Sequence, residues 1–249
     1  MLSDNNARVL DEAAKALSHA SYHVETLAVD VTSPASVRAL ADKAAALGNV
    51  TQVINTAGLS PNMAPPEKVL QVDLYGVALV FDEFERVIAP GGCGIVISSM
   101  AGHMPAPLPL EQEQALANTP TGELLALPFL GVDVIRDSMQ AYGIAKKANH
   151  LRVQAASLSW GEKGARVNSI SPGIIATPLA QHEMESDSGP IYRAMIAASP
   201  AKRMASADEV ASAAAFLLGP EASFITGSDL LMDGGVIPAM RAGRLDDPV

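Results

Sequence analysis

Cysteine is almost absent from this 249-residue chain, where Cys93 stands alone. An intrachain disulfide framework and a thiolate metal cluster are therefore excluded, and a reducing, cytoplasmic setting is expected. Aromatic residues make up 4% and charged residues 18%. No uncharged apolar run approaches the roughly 18 residues that a membrane-spanning helix needs. The opening MLSDNNARVLDEAAKAL also lacks the apolar core of a secretion signal, which makes Asn49-Val50-Thr51 a chance glycosylation sequon. Excess positive charge is missing too. With 17 Lys and Arg against 27 Asp and Glu, the net charge is -10. Nucleic-acid binders cluster cations to displace counterions, so a nucleic-acid partner is not expected.

What is present is a hydrophobic fraction of 49%, enough for one full core, and one domain over 1–249 is expected at this length. Strand-like and helix-like stretches alternate. RVLDEAAKAL has helical spacing after the turn-prone Asp4-Asn5-Asn6, HVETLAVDV reads as a strand ending at Asp30, and Ser33-Pro34 opens a second helix. VTQVINTAG is a strand running into a glycine turn, PEKVLQVDLYGVALVFDEFERVI a long helix, and GGCGIVISS the next strand. A helix is expected from near Tyr142 to Trp160, then the strand RVNSISPG, a helix with a Ser206/Glu209 capping box, and a last strand in FITGSDLLMDGG. Such alternation predicts an α/β fold: a Rossmann-like, doubly wound, mostly parallel sheet with ligands at the carboxyl ends of its strands. Residues 103–140, with prolines at 105, 107, 109, 120 and 128 and helix-like pieces TGELLAL and VDVIRDSMQAY, read as an insertion.

Tyr142 and Lys146 stand four apart on one predicted helix, so their side chains share a face. A nearby ammonium favours phenolate, which suits a phenol to exchange a proton with an alcohol or ketone. The spacing alone is equally that of an amphipathic helix with a solvated lysine. Its context is more specific. NTAG at 55–58, VISS ending at Ser99, YGIAK at 142–146, SPGIIATP from 171 and the closing TGSDLLMDGG occur in that order.

This ordered series resembles the short-chain dehydrogenase/reductase family over nearly the whole chain. The resemblance implies an NAD(P)-dependent oxidoreductase that interconverts a secondary alcohol and a ketone. Tyr142 then matches the general acid/base, Lys146 the residue that tunes it and holds the nicotinamide ribose, and Ser99 the donor to the substrate oxygen. Ser98 is the rival for that role, since strand alternation lets only one of the two face the cleft. Asn55, Ala57 and Gly58 match the turn beneath the adenosine end, Asp30 and Val31 the contact with adenine, and Pro172, Gly173, Ile175 and Thr177 the loop that meets the nicotinamide. Asp4 stands where a carboxylate would accept from ribose hydroxyls and repel a ribose phosphate, which favours NAD over NADP; helix capping is its other reading. The family is oligomeric, so a homodimer or homotetramer is expected.

Three departures stand out. The family's strand, T-G-x-x-x-G-x-G turn and pyrophosphate-binding helix are not in this sequence, and the expectation is an N-terminally truncated fold, its first strand and helix absent, from a late start codon or a true truncation. In the order 3-2-1-4-5-6 that empties the centre of the sheet, predicting weak dinucleotide binding and a marginal fold; a non-catalytic scaffold is the alternative function. Second, Asp73 replaces an asparagine that supports a water relay behind the lysine, and an ionised carboxylate only accepts; Asp73 is a candidate contributor or a structural cap. Third, residues 103–140 lengthen the path from serine to tyrosine. Together with the DGG-to-AMR tail, they resemble the bacterial 3-alpha-hydroxysteroid dehydrogenase/carbonyl reductase branch, which implies a hydrophobic or steroid-like carbonyl. The segment is placed at the cleft mouth or a subunit contact. Residues 179–203 read as a lid in which Met184, Ile191 and Met195 line a pocket or simply pack. His103 and His182 look isolated, so no metal is expected. An extended epimerase is disfavoured because no substrate domain follows the DGG strand.

Overall fold

Among the described residues every strand pairing is parallel, as alternation with helices requires. The computed structural model describes residues 1–104 and 107–245; Pro105, inside the expected insertion, lies outside the described residues. Strand β1 (Leu2–Asp4) leads through α1 (Ala7–His19) to β2 (Thr26–Ala28), and α2 (Pro34–Leu47) leads to β3 (Val50–Asn55). The long predicted helix is broken into α3 (Pro66–Val69), a π-helical turn (Leu70–Gly76) and α4 (Val77–Glu85). Then come β4 (Ile88–Ile97), a tight turn Met100–His103, α5 (Leu110–Asn118), α6 (Ser138–Glu162) and β5 (Arg166–Pro172). Helices α7 (Pro178–Glu185), α8 (Gly189–Ala198) and α9 (Ala207–Leu218), strand β6 (Asp229–Met232) and α10 (Val236–Arg241) complete the chain.

Local chemistry sets several helix starts. Asn6 accepts from the amides of Arg8 and Val9, Ser33 accepts from Ser36, and Ser206 with Glu209 forms the expected capping box. The tyrosine helix starts earlier than its pattern indicated, because the Asp137 carboxylate accepts the Gln140 amide at 2.8 Å and fixes the first turn there. Much of the helix-like VDVIRDSMQAY is accordingly turn rather than helix.

Helices cover both faces of the larger sheet. Val37, Leu40, Phe81, Phe84, Val153 and Trp160 pack together with Val96 and Val167 of the sheet in one cluster, while Ala214 and Leu217 of α9 pack with Ile95 and Ile170 in another. The expected insertion becomes a layer on α6: Leu116, Leu124, Leu130 and Ile135 pack with Ala141, Ala145 and Ala148. The buried Arg152 guanidinium secures that layer, donating to the carbonyls of Leu116 and Thr119 and to Thr121 Oγ1 at 3.1–3.2 Å.

The sheet itself is split. Strands β1 and β2 form a pair, and β3, β4, β5 and β6 form a separate sheet in that order. A cleft of about 690 Å³ is lined by Ser3, Asp4 and Asn5 on one side and by Val50–Asn55 on the other. The edge of β3 is thus unpaired among the described residues, and Ile54 on it is 52% exposed.

Candidate active site

The carboxyl ends of the strands converge on the same cleft. Asp4, Asp30, Val31, Asn55, Ala57 and Gly58 all line it, so the fold brings together the six residues expected at the adenosine end. Asp4 and Asp30 are partly committed to their own loops: Asp4 Oδ1 accepts the Asn6 amide at 2.7 Å, and Asp30 Oδ1 accepts the Thr32 hydroxyl and amide at 2.7 and 2.8 Å. Those bonds, the hydroxyl's first, hold the Asp30 carboxyl below its ordinary range. Asn55 is buried; its Oδ1 accepts the Ala57 amide at 3.1 Å, while its Nδ2 has no partner among the described residues. That orphaned donor fits a polar ligand in the cleft. Phosphate recognition is the poor fit. Gly48 and Gly58 are the glycines lining the cleft, Lys68 is its cationic side chain, and no glycine-rich turn leads into a helix there among the described residues.

Tyr142, Lys146 and Asp73 meet beyond Gly58. Lys146 Nζ lies 5.2 Å from the centre of the Tyr142 ring and 2.8 Å from Asp73 Oδ1. The second contact is ionic rather than an aligned hydrogen bond, since Asp73 Oδ1 has no aligned donor. Asp73 Oδ2 accepts the Leu59 amide at 3.0 Å. Burial alone would lower the Lys146 ammonium, but the Tyr142 phenol and the Asp73 carboxylate outweigh it and hold the ammonium above its ordinary value. Asp73 sits in the π-helical turn, the local irregularity that the periodic helix pattern could not show. Gly58 is demanded by close approach: a Cβ there would lie 2.8 Å from Asp73 Oδ1 and 3.4 Å from Lys146 Nζ.

The two serines divide as strand alternation requires. Ser98 is buried, its hydroxyl donating to the Lys146 carbonyl at 3.1 Å and lying 3.1 Å from His150 Nε2. Ser99 is half-buried at the end of the strand, where its Oγ accepts the Ala101 amide and starts the Met100–His103 turn against α6. In the following loop, Pro172 ends β5, and Gly173 approaches Asp233 so closely that a Cβ would lie 2.7 Å from Asp233 Cα. Ile175 bridges to Ala205, and the Thr177 hydroxyl caps α7 by accepting from Ala180 at 3.2 Å.

Sequence reading missed Glu183, which is buried on α7 and accepts from Ser60 Oγ and Asn62 Nδ2. It latches the α7–α8 segment to the loop after Gly58. Nearby on α8, Tyr192 has its phenol pushed up to about 12 by burial first, then by Glu183 and Tyr142. No local spacing links these groups. Met195, half-buried, packs against the cluster of Met100, Val236 and Ile237. His103, expected to be isolated, is not: it bonds Asp229 at 2.7 Å, and its ring lies 4.6 Å from that of His150 at a tilt of 41°. No helix among the described residues is long and apolar enough to cross a membrane.

Comparison with known proteins gives concordant results. A family model described as Enoyl-(Acyl carrier protein) reductase matches residues 1–109 and 108–237. Short-chain dehydrogenase/reductase bsc3 of Alternaria brassicicola is 41% identical over 238 residues, covering 95% of this chain and 86% of that protein. The 3-alpha-hydroxysteroid dehydrogenase/carbonyl reductase of Comamonas testosteroni is 33% identical over 190 residues, 74% of this chain and 72% of that one. The solved structure of the 3-alpha-hydroxysteroid dehydrogenase from Pseudomonas sp. B-0831, complexed with NADH, superposes with a TM-score of 0.78 at 25% identity, covering 96% of this chain and 97% of that one.

Proposed function

Because the chain belongs to the short-chain dehydrogenase/reductase family, oxidoreductases acting on CH–OH donors, we propose that its cleft serves reversible oxidation of a secondary alcohol to a ketone, with Tyr142 exchanging the hydroxyl proton. The observation that carries this reading is the contact set of Tyr142, Lys146 and Asp73, assembled beside Gly58 at the end of the cleft. A bound nicotinamide dinucleotide would supply the hydride chemistry. Asp4, Asp30, Val31 and Asn55 would hold its adenosine end; Tyr142, Lys146 and the loop of Pro172, Gly173, Ile175 and Thr177 would hold the other. Asp4 on the cleft wall favours NAD over NADP, since a carboxylate there repels a ribose phosphate.

The protein's own groups divide the remaining work. The Tyr142 hydroxyl gives its proton to a ketone oxygen or takes one from an alcohol, and the cationic Lys146 beside it stabilises the phenolate that results. Ser99 donates to the same substrate oxygen, a role that the inward-turned Ser98 is not free to take. Similarity to the Comamonas testosteroni protein supports a hydrophobic or steroid-like carbonyl as substrate. The 103–140 layer on α6 stands at the cleft mouth or between subunits of a homo-oligomer.

The Tyr142→Phe variant tests the reading. Turnover of secondary alcohols falls by about 10²–10⁴-fold, the usual worth of a positioned acid/base, while dinucleotide binding followed by fluorescence stays close to the parent's. A Phe variant that kept the parent rate would overturn it.

A further inference from the structure

His103, His150 and Asp229 are far apart in sequence, yet each offers a ligand atom within 4.8 Å of the others. His103 ends the turn that follows Ser99, His150 lies one helical turn beyond Lys146 on α6, and Asp229 opens β6. Both imidazoles direct Nε2 at one carboxylate: His103 is 2.7 Å from Asp229 Oδ2 and His150 is 3.5 Å from Oδ1. Ser171 Oγ stands 2.8 Å from both His150 Nε2 and Asp229 Oδ1, and Ser169 also donates to Asp229 Oδ1, at 2.6 Å. Among the described residues, no lysine or arginine pairs with Asp229; its ion-pair neighbours are the two histidines.

We propose that this cluster binds one first-row divalent cation of the zinc type, through Nε2 of His103 and His150, a carboxylate oxygen of Asp229 and the Ser171 hydroxyl or a water as fourth ligand. Imidazole and carboxylate are the donors such ions take in proteins. Tetrahedral ligand atoms about 2.0 Å from a metal lie about 3.3 Å apart. The His150–Asp229 separation of 3.5 Å is already near that value, whereas the His103–Asp229 bond at 2.7 Å must open by about half an ångström. His103 has the slack to do so, because its side chain is 23% exposed and gives the ion its way in. A ligand imidazole must be unprotonated. The ion would also place a positive charge beside the half-buried Asp229 carboxylate, and would tie the turn after Ser99 to α6 and β6.

No local spacing reveals this grouping, because 126 residues separate His103 from Asp229. The test is calorimetric titration of the untagged, chelator-treated chain with Zn²⁺ alone, repeated with Co²⁺ and read by its visible absorption. The expected result is one equivalent bound with micromolar or tighter affinity, a tetrahedral cobalt spectrum and a higher unfolding temperature. His103→Ala weakens binding roughly tenfold or more, and His182→Ala, altering an exposed histidine on α7, leaves it unchanged. Asp229→Asn, which removes charge with little change of shape, gives the same loss as His103→Ala. The partly exposed His103 site keeps the test decisive if the Asp229 variant folds poorly. Absence of binding below millimolar Zn²⁺, or parent affinity in His103→Ala, would overturn the proposal and leave a hydrogen-bond network only.

Discussion

Asp73 Oδ1 and Lys146 Nζ are 2.8 Å apart, with 0% and 4% of their side chains exposed, so the ammonium expected to tune Tyr142 has a buried carboxylate as its counter-charge. Removing one member of such a pair strands the other. Asp73→Ala should therefore destabilise the fold by about 3–5 kcal/mol in urea unfolding at neutral pH. Asp73→Asn, which keeps an acceptor for the Leu59 amide, should cost less. The pH dependence has a definite sign. Lys146 is held above its ordinary 10.5, so the pair's contribution is complete below that value and fades as pH rises through the higher folded value. The stability gap between parent and Asp73→Ala should be constant from neutral pH to about 10 and narrow above it.

Gly58→Ala probes the same pair from the cleft side. Its Cβ would fall 2.8 Å from Asp73 Oδ1, closer than real Cβ contacts come. The carboxylate must shift and carry Lys146 with it. Turnover should fall at least tenfold, with stability lost in the range of about 1–3 kcal/mol typical of overpacking. An alanine variant with parent kinetics would show that the pair's geometry is not needed for the reaction.

Legibility in the sequence followed the range of the contact. Tyr142 and Lys146 were readable because one helix sets both, and Ser98 and Ser99 were separable because strands alternate. Asn55 and Gly58 were readable from their turn. The parallel α/β alternation was legible too, because each strand is followed by a helix. Glu183 with Ser60 was not, nor His150 with Asp229: each meets its partner across more than 75 residues, where no periodicity survives. Asp73 was legible as a residue behind the lysine but not as its direct ion-pair partner, because its direction depends on the π-helical turn. In residues 132–137, helical spacing gave way to turn, and the Asp137 cap starts the helix between the onset of VDVIRDSMQAY and the Tyr142 start that the pattern indicated.

Glu183 makes a prediction about the lid. Its carboxylate holds Ser60 and Asn62 across from α7, and Tyr192 packs nearby. Glu183→Ala unfastens α7–α8 without touching Tyr142 or Lys146. KM for an alcohol substrate should rise several-fold with a smaller fall in kcat, and limited proteolysis within 178–198 should accelerate. Equal falls in kcat and kcat/KM with unchanged KM would instead place Glu183 in the chemical step.

Acid sensitivity should arise partly at the α9 cap. Glu209, bonded first to Arg203 and then to the Ser206 amide, is brought down to about 2. A lowered carboxylate contributes stability that is full above its unfolded value near 4.5 and is lost as pH falls through about 2. Glu209→Gln keeps the capping-box geometry but not the charge. Unfolding midpoints of parent and variant should differ near neutral pH and converge between pH 4.5 and 2.

The open sheet centre predicts how the chain behaves in solution. A strand with an unpaired edge and an exposed apolar side chain is a template for pairing with another copy. On β3 that side chain is Ile54, at 52% exposure. Among the described residues that line the cleft, no glycine-rich turn leads into a helix to receive phosphates, so these 249 residues should bind a dinucleotide weakly, with calorimetry giving a dissociation constant in the high micromolar range or above. Ile54→Lys places a charge on the edge, as natural sheets do to block such pairing. Light scattering on concentration should fall markedly in the variant while its unfolding free energy stays within about 0.5 kcal/mol of the parent's, because the isoleucine is 52% exposed. Scattering that persisted unchanged would move the source of self-association away from β3, and nanomolar NAD binding by the same chain would show that the split cleft recognises the phosphates by other groups.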